Sequence, residues 1–284
     1  MKKRIFINIH YLEIGGAERA LLGLLSALDP NKVDVDLFVN QHTGEFMSLI
    51  PKYVNLLPEV SEYTCIERSM KNILKEGYIG IALRRLWAKY EYKQYLKKIS
   101  AKESKHDYSI FQYVADAVEG ALPSLEYLGE YDLAISFLQP HNIVLNKVKA
   151  KRKICWIHTD YSTMHVNHDK ELPIWSGFDH IVSISNDCTR AFLKAFPELQ
   201  DKIILIENIL SPFFIRQQAE LDDVSTEMLN ETGVTKLLSI GRFAPPKNFE
   251  AIPQICAEME RLGVNFKWYI IGYGNDSGIQ TALD

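Results

Sequence analysis

The chain has 284 residues, enough for about two domains. With 47% apolar and 24% charged residues and a net charge of −4, it excludes disordered, collagen-like and disulfide-scaffold classes, and it offers no global basic field for nucleic acid. No apolar run reaches about 18 residues, so no membrane-spanning helix is expected. Cys65, Cys155, Cys188 and Cys256 are scattered without a C-x-x-C pair, which suits a reducing cytoplasm and no structural zinc.

The opening Lys2-Lys3-Arg4 has the charge of a signal n-region. Its apolar part stops at His10 and Glu13 without a small-residue cleavage site, so residues 4–10 read as a first strand. Residues 33–40 form a second apolar run, and between the two, Ala20, Leu21, Leu24, Leu25 and Leu28 recur at helical spacing over 17–28. That β-loop-α-β order predicts a parallel pair with a right-handed crossover. Further strands are predicted at 132–137, 154–158, 180–185 and 203–207, with a helix at 186–196. Near-continuous apolar strands are expected when helices cover both faces of a sheet.

Residues 209–231 hold a Pro, several acids and no sustained pattern, and read as a linker. A second α/β unit follows, with strands at 236–241 and 267–272 around a helix at 248–262. Two strands bury little apolar surface, so this unit is expected to be incomplete. The predicted division is 1–210 for an N-terminal Rossmann-like, acceptor-side domain and 211–284 for the linker and first part of a C-terminal nucleotide-sugar domain.

One segment breaks the alternation. Residues 61–105 carry eleven Lys/Arg and five Glu, a local charge of +6 that leaves −10 elsewhere. Trp87, Tyr90, Tyr92 and Tyr95 interleave with Arg84, Arg85, Lys89, Lys93, Lys97 and Lys98. A basic helix bearing aromatics suits an anionic membrane surface. An insertion packing its aromatics on the first domain is the other reading.

Three loops can carry chemistry. Gly15-Gly16 lies between the first strand and helix, where backbone N–H groups and a helix N-terminus favour an anion; a tight turn needing positive φ is the plainer reading. The G-x-G-x-x-G spacing of a dinucleotide site is absent there, and Gly272-Tyr273-Gly274 fails it too, because Gly278 falls one place late. In Gly241-Arg242-Phe243-Ala244-Pro245-Pro246-Lys247-Asn248, two prolines stiffen a loop offering two cations: a planar Arg fork and a compact Lys charge. No Gly precedes Lys247 and Asn248 replaces Ser/Thr, so this is no Walker loop. Solvated charges at a helix start are the alternative there.

His158 ends an apolar strand in Trp156-Ile157-His158-Thr159-Asp160 and is placed toward the same crevice as Gly15. His165 and His168 are three apart but match no metal-ligand pattern, and no G-x-S-x-G elbow occurs.

Together these loops resemble family-4 glycosyltransferases of GT-B architecture, in which two Rossmann-like domains face a cleft. Gly15-Gly16-Ala17-Glu18-Arg19 resembles their glycine loop and Trp156–Asp160 their strand-end histidine segment. Gly241-Arg242-Phe243…Lys247-Asn248 resembles their C-domain loop, and Ile270–Gly274 the strand and turn after it. Asn208 sits where the family often has an Asn-Gly hinge, with Ile209 in place of the Gly.

The resemblance implies metal-independent, anomer-retaining transfer from a nucleotide diphosphate-sugar to a polysaccharide or lipid-linked acceptor in surface polysaccharide assembly, with no cofactor and no nucleic-acid partner. It implies that Arg242 and Lys247 bind the diphosphate, that Gly15 and Gly16 bring backbone N–H groups to it, and that His158 hydrogen-bonds the donor sugar. It also implies a cytoplasmic protein, membrane-associated if residues 61–105 bind lipid. Family members continue beyond the stretch matched here through a loop with paired glutamates, E-x-x-x-x-x-x-x-E, so the resemblance leads one to expect a chain truncated before that loop. The alternative is therefore a catalytically incomplete subunit that binds an acceptor or a partner protein.

Overall fold

The computed structural model describes residues 2–220, 223–243 and 247–274. The chain divides into two compact units, Met1–Pro212 and Phe213–Asp284.

The first unit holds β1 (Lys3–Ile9), β2 (Val33–Val39), β3 (Asn55–Leu56), β4 (Leu133–Ser136), β5 (Lys153–Ile157), β6 (His180–Ser183) and β7 (Ile203–Leu205). They form one parallel sheet in the order β3-β2-β1-β4-β5-β6-β7. All six predicted strands form, each ending one or two residues earlier than the apolar run. The two-residue β3 had no sequence signal to find.

Alternation along the strands builds a core on each sheet face. Ile5, Ile7 and Ile9 share one face with Val35, Leu37 and Val39 of β2 and with Ile154 and Trp156 of β5. Helix α1 (Gly16–Ala27) covers that face through Ala20, Leu21 and Leu25. Phe6, Phe38, Ala134, Cys155 and Ile157 point the other way.

That second face is covered by α2 (Ser61–Thr64), α3 (Met70–Lys75), α4 (Ile79–Leu96), α6 (Ile110–Glu119), α7 (Asn142–Lys147), α8 (His168–Ser176) and α9 (Asn186–Ala195), while α5 (Ala101–Lys105) contributes no described residue to this core. Tyr63, Ile73, Ile81, Val118, Ile143, Trp175 and Phe192 supply its contacts. Each such large apolar side chain contributes about 1.5–3 kcal/mol when fully buried. Within the basic segment, Arg85 is buried and donates to the carbonyls of Cys65 at 2.8 Å and Arg68 at 2.5 Å, tying α4 to the turn before α3. Tyr92 and Tyr95 pack against Tyr113 of α6, with centroids 5.7 and 6.0 Å away.

The second unit holds most of α10 (Pro212–Ala219), together with β8 (Thr235–Ile240), α11 (Ile252–Arg261) and β9 (Phe266–Ile271). Among its described residues, β8 and β9 form a two-stranded parallel sheet. Phe249 and Ile252 are buried against it, with Phe243, Cys256, Trp268 and Ile270 packed around them.

Two expectations are corrected here. The segment read as a patternless linker contains α10, which opens on Pro212, where a missing N–H costs nothing. The helix expected from 248 starts at Ile252, because Asn248 has φ 52° and only a 3-10 turn, Phe249–Ala251, fits before it. Asn tolerates that left-handed conformation better than most residues.

All four cysteines are free. Cys65 and Cys155 are buried and burial raises both thiols, whereas Cys188 and Cys256 are partly exposed.

Gly23, in the middle of α1, lets another strand of chain pass: a Cβ there would lie 1.9 Å from the Ile209 carbonyl oxygen. Backbone cannot retreat as a side-chain tip can. Gly23→Ala, despite its higher helix propensity, is expected to lower unfolding free energy by about 2–3 kcal/mol in urea titrations.

Candidate functional site

Chemistry-bearing side chains collect at the C-terminal edge of the first unit's sheet. In β1, Asn8 and then His10 continue the face that Phe6 begins. The Asn8 amide donates to the Phe38 carbonyl at 3.1 Å and to Asn40 Oδ1 at 2.7 Å. Asn40 Nδ2 in turn lies 3.1 Å from His10 Nδ1. A carbonyl only accepts, so the order of donors along this chain is fixed, and His10 Nδ1 accepts while its Nε2 carries the proton. That Nε2 is buried without a hydrogen-bond partner among the described residues, 3.9 Å from Glu67.

The loop after β4 places Gln139 and His141 beside it. His141 Nδ1 pairs with Ser136 Oγ at 2.7 Å, and its ring meets Trp175 edge-on at 4.5 Å. Glu171, buried in α8, receives Trp175 Nε1 at 3.1 Å, the Tyr161 hydroxyl at 3.2 Å and Gln139 Nε2 at 3.4 Å on one carboxylate oxygen. These three donors hold a carboxylate whose pKa burial raises.

His158 follows β5 directly and packs on Phe137, with ring centroids 4.6 Å apart. It lines a cavity of about 440 Å³ with Thr159, Asp160, Ser185, Cys188 and Lys194. Ser185 caps α9 there, its hydroxyl accepting from Cys188 N–H at 3.1 Å, and Arg190 pairs with Asp187 at the rim. The Nε2 of His158 is also buried without a hydrogen-bond partner, as is that of His141.

Burial depresses all three imidazoles: His10 falls below its ordinary value, His158 to about 4 and His141 to about 3. The edge therefore presents neutral rings at neutral pH, able to hydrogen-bond hydroxyl groups without attracting counter-ions.

The glycine loop differs from its plainer reading. Gly15 is the N-cap of α1 with φ −152°, and neither glycine has positive φ. What Gly15 provides is room, because a Cβ there would lie 2.1 Å from the Glu18 carboxylate, while Gly16 faces open space. Glu18 itself is buried in the first turn of α1, so the tip of that helix already has an anionic side chain beside it.

In the second unit, Gly241 N–H donates to the Ile271 carbonyl at 3.0 Å and Phe243 N–H to that of Tyr273 at 2.8 Å, so the β8–β9 pairing runs on into the loop. Gly272 is needed for this, since a Cβ would meet the Gly241 carbonyl oxygen at 2.0 Å. Arg242 and Lys247 are exposed, and neither forms an ion pair among the described residues. The Lys247 stem passes 3.8 Å from where a Gly241 Cβ would stand, bringing it back to the strand end that bears Arg242. Ala244, Pro245, Pro246 and Gly278 lie outside the described residues.

Gly15, Gly16 and His158 thus share the C-terminal edge of one sheet, with β4 between their strands, while Arg242 and Lys247 share a loop of the other unit. Sequence reasoning missed His10, His141 and Glu171. The signal for His10 was present as the every-second-residue series Phe6, Asn8, His10; Glu171 carried none. His165 is taken up by Asp107 at 2.8 Å and His168 by Glu198 at 3.2 Å. Among the described residues no group of three or more His, Cys, Asp or Glu is arranged to hold a metal ion.

No family model and no curated protein matches the sequence. Among solved structures, a variant of S. aureus TarM in complex with Fondaparinux, alpha-GlcNAc-glycerol and UDP matches at TM-score 0.52 and 11% identity, covering 99% of this chain and 75% of that one. A second TarM structure gives 0.52 and 11%, over 100% of this chain and 74% of its own. Anabaena HepE with UDP and glucose scores 0.43 at 14% identity, covering 99% and 72%. TarM is a GT-B glycosyltransferase. The chain has the GT-B fold. At 11% identity the likeness to TarM is one of fold alone.

The imidazole pKa values set a pH dependence. A histidine whose folded pKa lies below its unfolded value near 6.5 takes up its proton first in the unfolded chain, so folding stability drops as pH falls through that window. For His158 the window runs from pH 6.5 down to about 4. Urea titrations at pH 7 and pH 4.5 should show a loss on the order of 2–3 kcal/mol from this residue, and His158→Gln should remove that share of the slope.

Proposed function

We propose that this chain is a retaining glycosyltransferase of the family-4 type, which moves a sugar from a nucleotide diphosphate-sugar to a polysaccharide or lipid-linked acceptor in surface polysaccharide biosynthesis. The observation that carries this reading is His158: a neutral imidazole on the wall of a cavity, at the C-terminal edge of a parallel sheet in a GT-B fold, with a buried Nε2 that has no hydrogen-bond partner among the described residues. A sugar hydroxyl is the uncharged, hydrogen-bonding group such an atom suits.

In this reading His158 hydrogen-bonds the donor sugar, while Arg242 and Lys247 take the diphosphate. As the glycosidic bond lengthens, charge accumulates on the departing diphosphate, and prearranged cations stabilise that state more than the ground state. Gly16, open above the start of α1, brings a backbone N–H to the same phosphates. Transfer then proceeds without a bound metal, the two cations doing what a divalent ion would do. The exposed apolar residues Leu238, Ile240 and Ile271 on the strands of the second unit favour a second reading, a glycosyltransferase-like subunit that binds an acceptor or a partner protein.

Titration calorimetry with UDP, GDP and their sugars tests the first reading. It expects one nucleotide to bind, Arg242→Ala to weaken that binding at least about tenfold, and loss of either cation to cost about 10²–10³ in turnover. Absence of binding by every nucleotide, with Arg242→Ala unchanged, would end it.

A further inference from the structure

Helix α4 is apolar on two sides. Its inner side buries Ile81, Ala82 and Ala88 against the first unit. On the outer side Ile79, Leu83, Leu86, Trp87 and Tyr90 are 57%, 61%, 51%, 59% and 53% exposed. At helical spacing these five fall within an arc of about 100°. Trp87 and Tyr90 lie together, with centroids 5.6 Å apart, at the C-terminal end of that stripe. A helix that is apolar on both sides normally has both covered, and no described residue covers this one.

Charge identifies what covers it. Arg84, Lys89, Lys93, Lys97 and Lys98 are all exposed along or beyond the stripe. The acids nearby are largely occupied: Glu76 is paired with Arg68, and Glu91 is half-buried. Beside the stripe opens a hollow of about 470 Å³ whose two cations, Arg84 and Lys170, are matched by Glu91 and Asp116. The hollow therefore carries no net charge, and attraction for an anionic surface comes from the lysines. A second copy of the chain docked on this stripe would set those lysines against one another. An anionic bilayer meets both features at once, with Trp and Tyr at headgroup depth and lysines against phosphate.

We propose that the outer side of α4 is a lipid-binding face that lies in the headgroup layer of an anionic membrane, with Leu83, Leu86 and Trp87 inserted. No helix among the described residues is long and apolar enough to cross a membrane, so the attachment is to one leaflet. The inference stands apart from the glycosyl-transfer reading and uses none of its residues.

Co-sedimentation of the full chain with vesicles tests it, comparing phosphatidylcholine alone with a mixture containing one quarter phosphatidylglycerol. Binding is expected to the mixture and not to phosphatidylcholine, and to weaken as salt is raised. Trp87→Ser should reduce partitioning roughly tenfold, and Lys89→Glu and Lys93→Glu about fivefold each. Circular dichroism of all three should match the parent, because these side chains are exposed. Equal partitioning of Trp87→Ser and parent would overturn the proposal. So would failure of the parent to bind the mixture, whether or not sedimentation velocity then shows a dimer that Trp87→Ser dissociates.

Discussion

Between β1 and β4 two hydrogen-bonded strands run side by side while their outgoing connections part. The chain leaving β1 turns to the face that α1 covers, and the chain leaving β4 turns to the opposite face through α7. Parallel strands joined by right-handed crossovers produce this divergence wherever the winding direction reverses. At that point the residues following β1 and β4, from His10 to Gly16 and from Gln139 to His141, come together at the C-terminal edge of the sheet while their connections part.

At that edge the first unit gathers three histidines with buried Nε2 atoms, His10, His141 and His158. An imidazole kept neutral by burial hydrogen-bonds without recruiting ions. An Asn–Asn relay from a backbone carbonyl fixes His10, and a hydroxyl fixes His141. Glu171 is a buried carboxylate there, held by three neutral donors in place of a cation. The first unit's candidate site thus combines imidazoles of buried Nε2 with charged residues at the cavity rim, and the loop of the second unit exposes two cations, Arg242 and Lys247.

Most of the fold was legible because parallel strands buried on both faces write themselves as apolar runs, and Val35, Leu37 and Val39 or Ile154 and Trp156 can hardly be read otherwise. Boundaries were less legible. Strand ends depend on where ladder partners stop, and the start of α11 depends on the single dihedral at Asn248. Position in the candidate site was legible where one residue directly follows a strong strand, as His158 does. It was hidden where side chains converge from separate elements: Glu171, Tyr161, Gln139 and Trp175 meet across two loops and a helix, and no spacing rule joins them. In the basic segment the sequence offered lipid binding or inward packing for one set of aromatics. The structure divides the set, with Tyr92 and Tyr95 turned toward Tyr113 and Trp87 and Tyr90 turned out.

The distribution of thiols has a practical consequence. Two of the four are sealed in the first unit's interior with their ionisation suppressed, and the two that reagents reach, Cys188 and Cys256, fall one in each unit. The native chain therefore comes with a matched pair of attachment points for spin labels or fluorophores. Each label would report on its own unit, with no engineered residue.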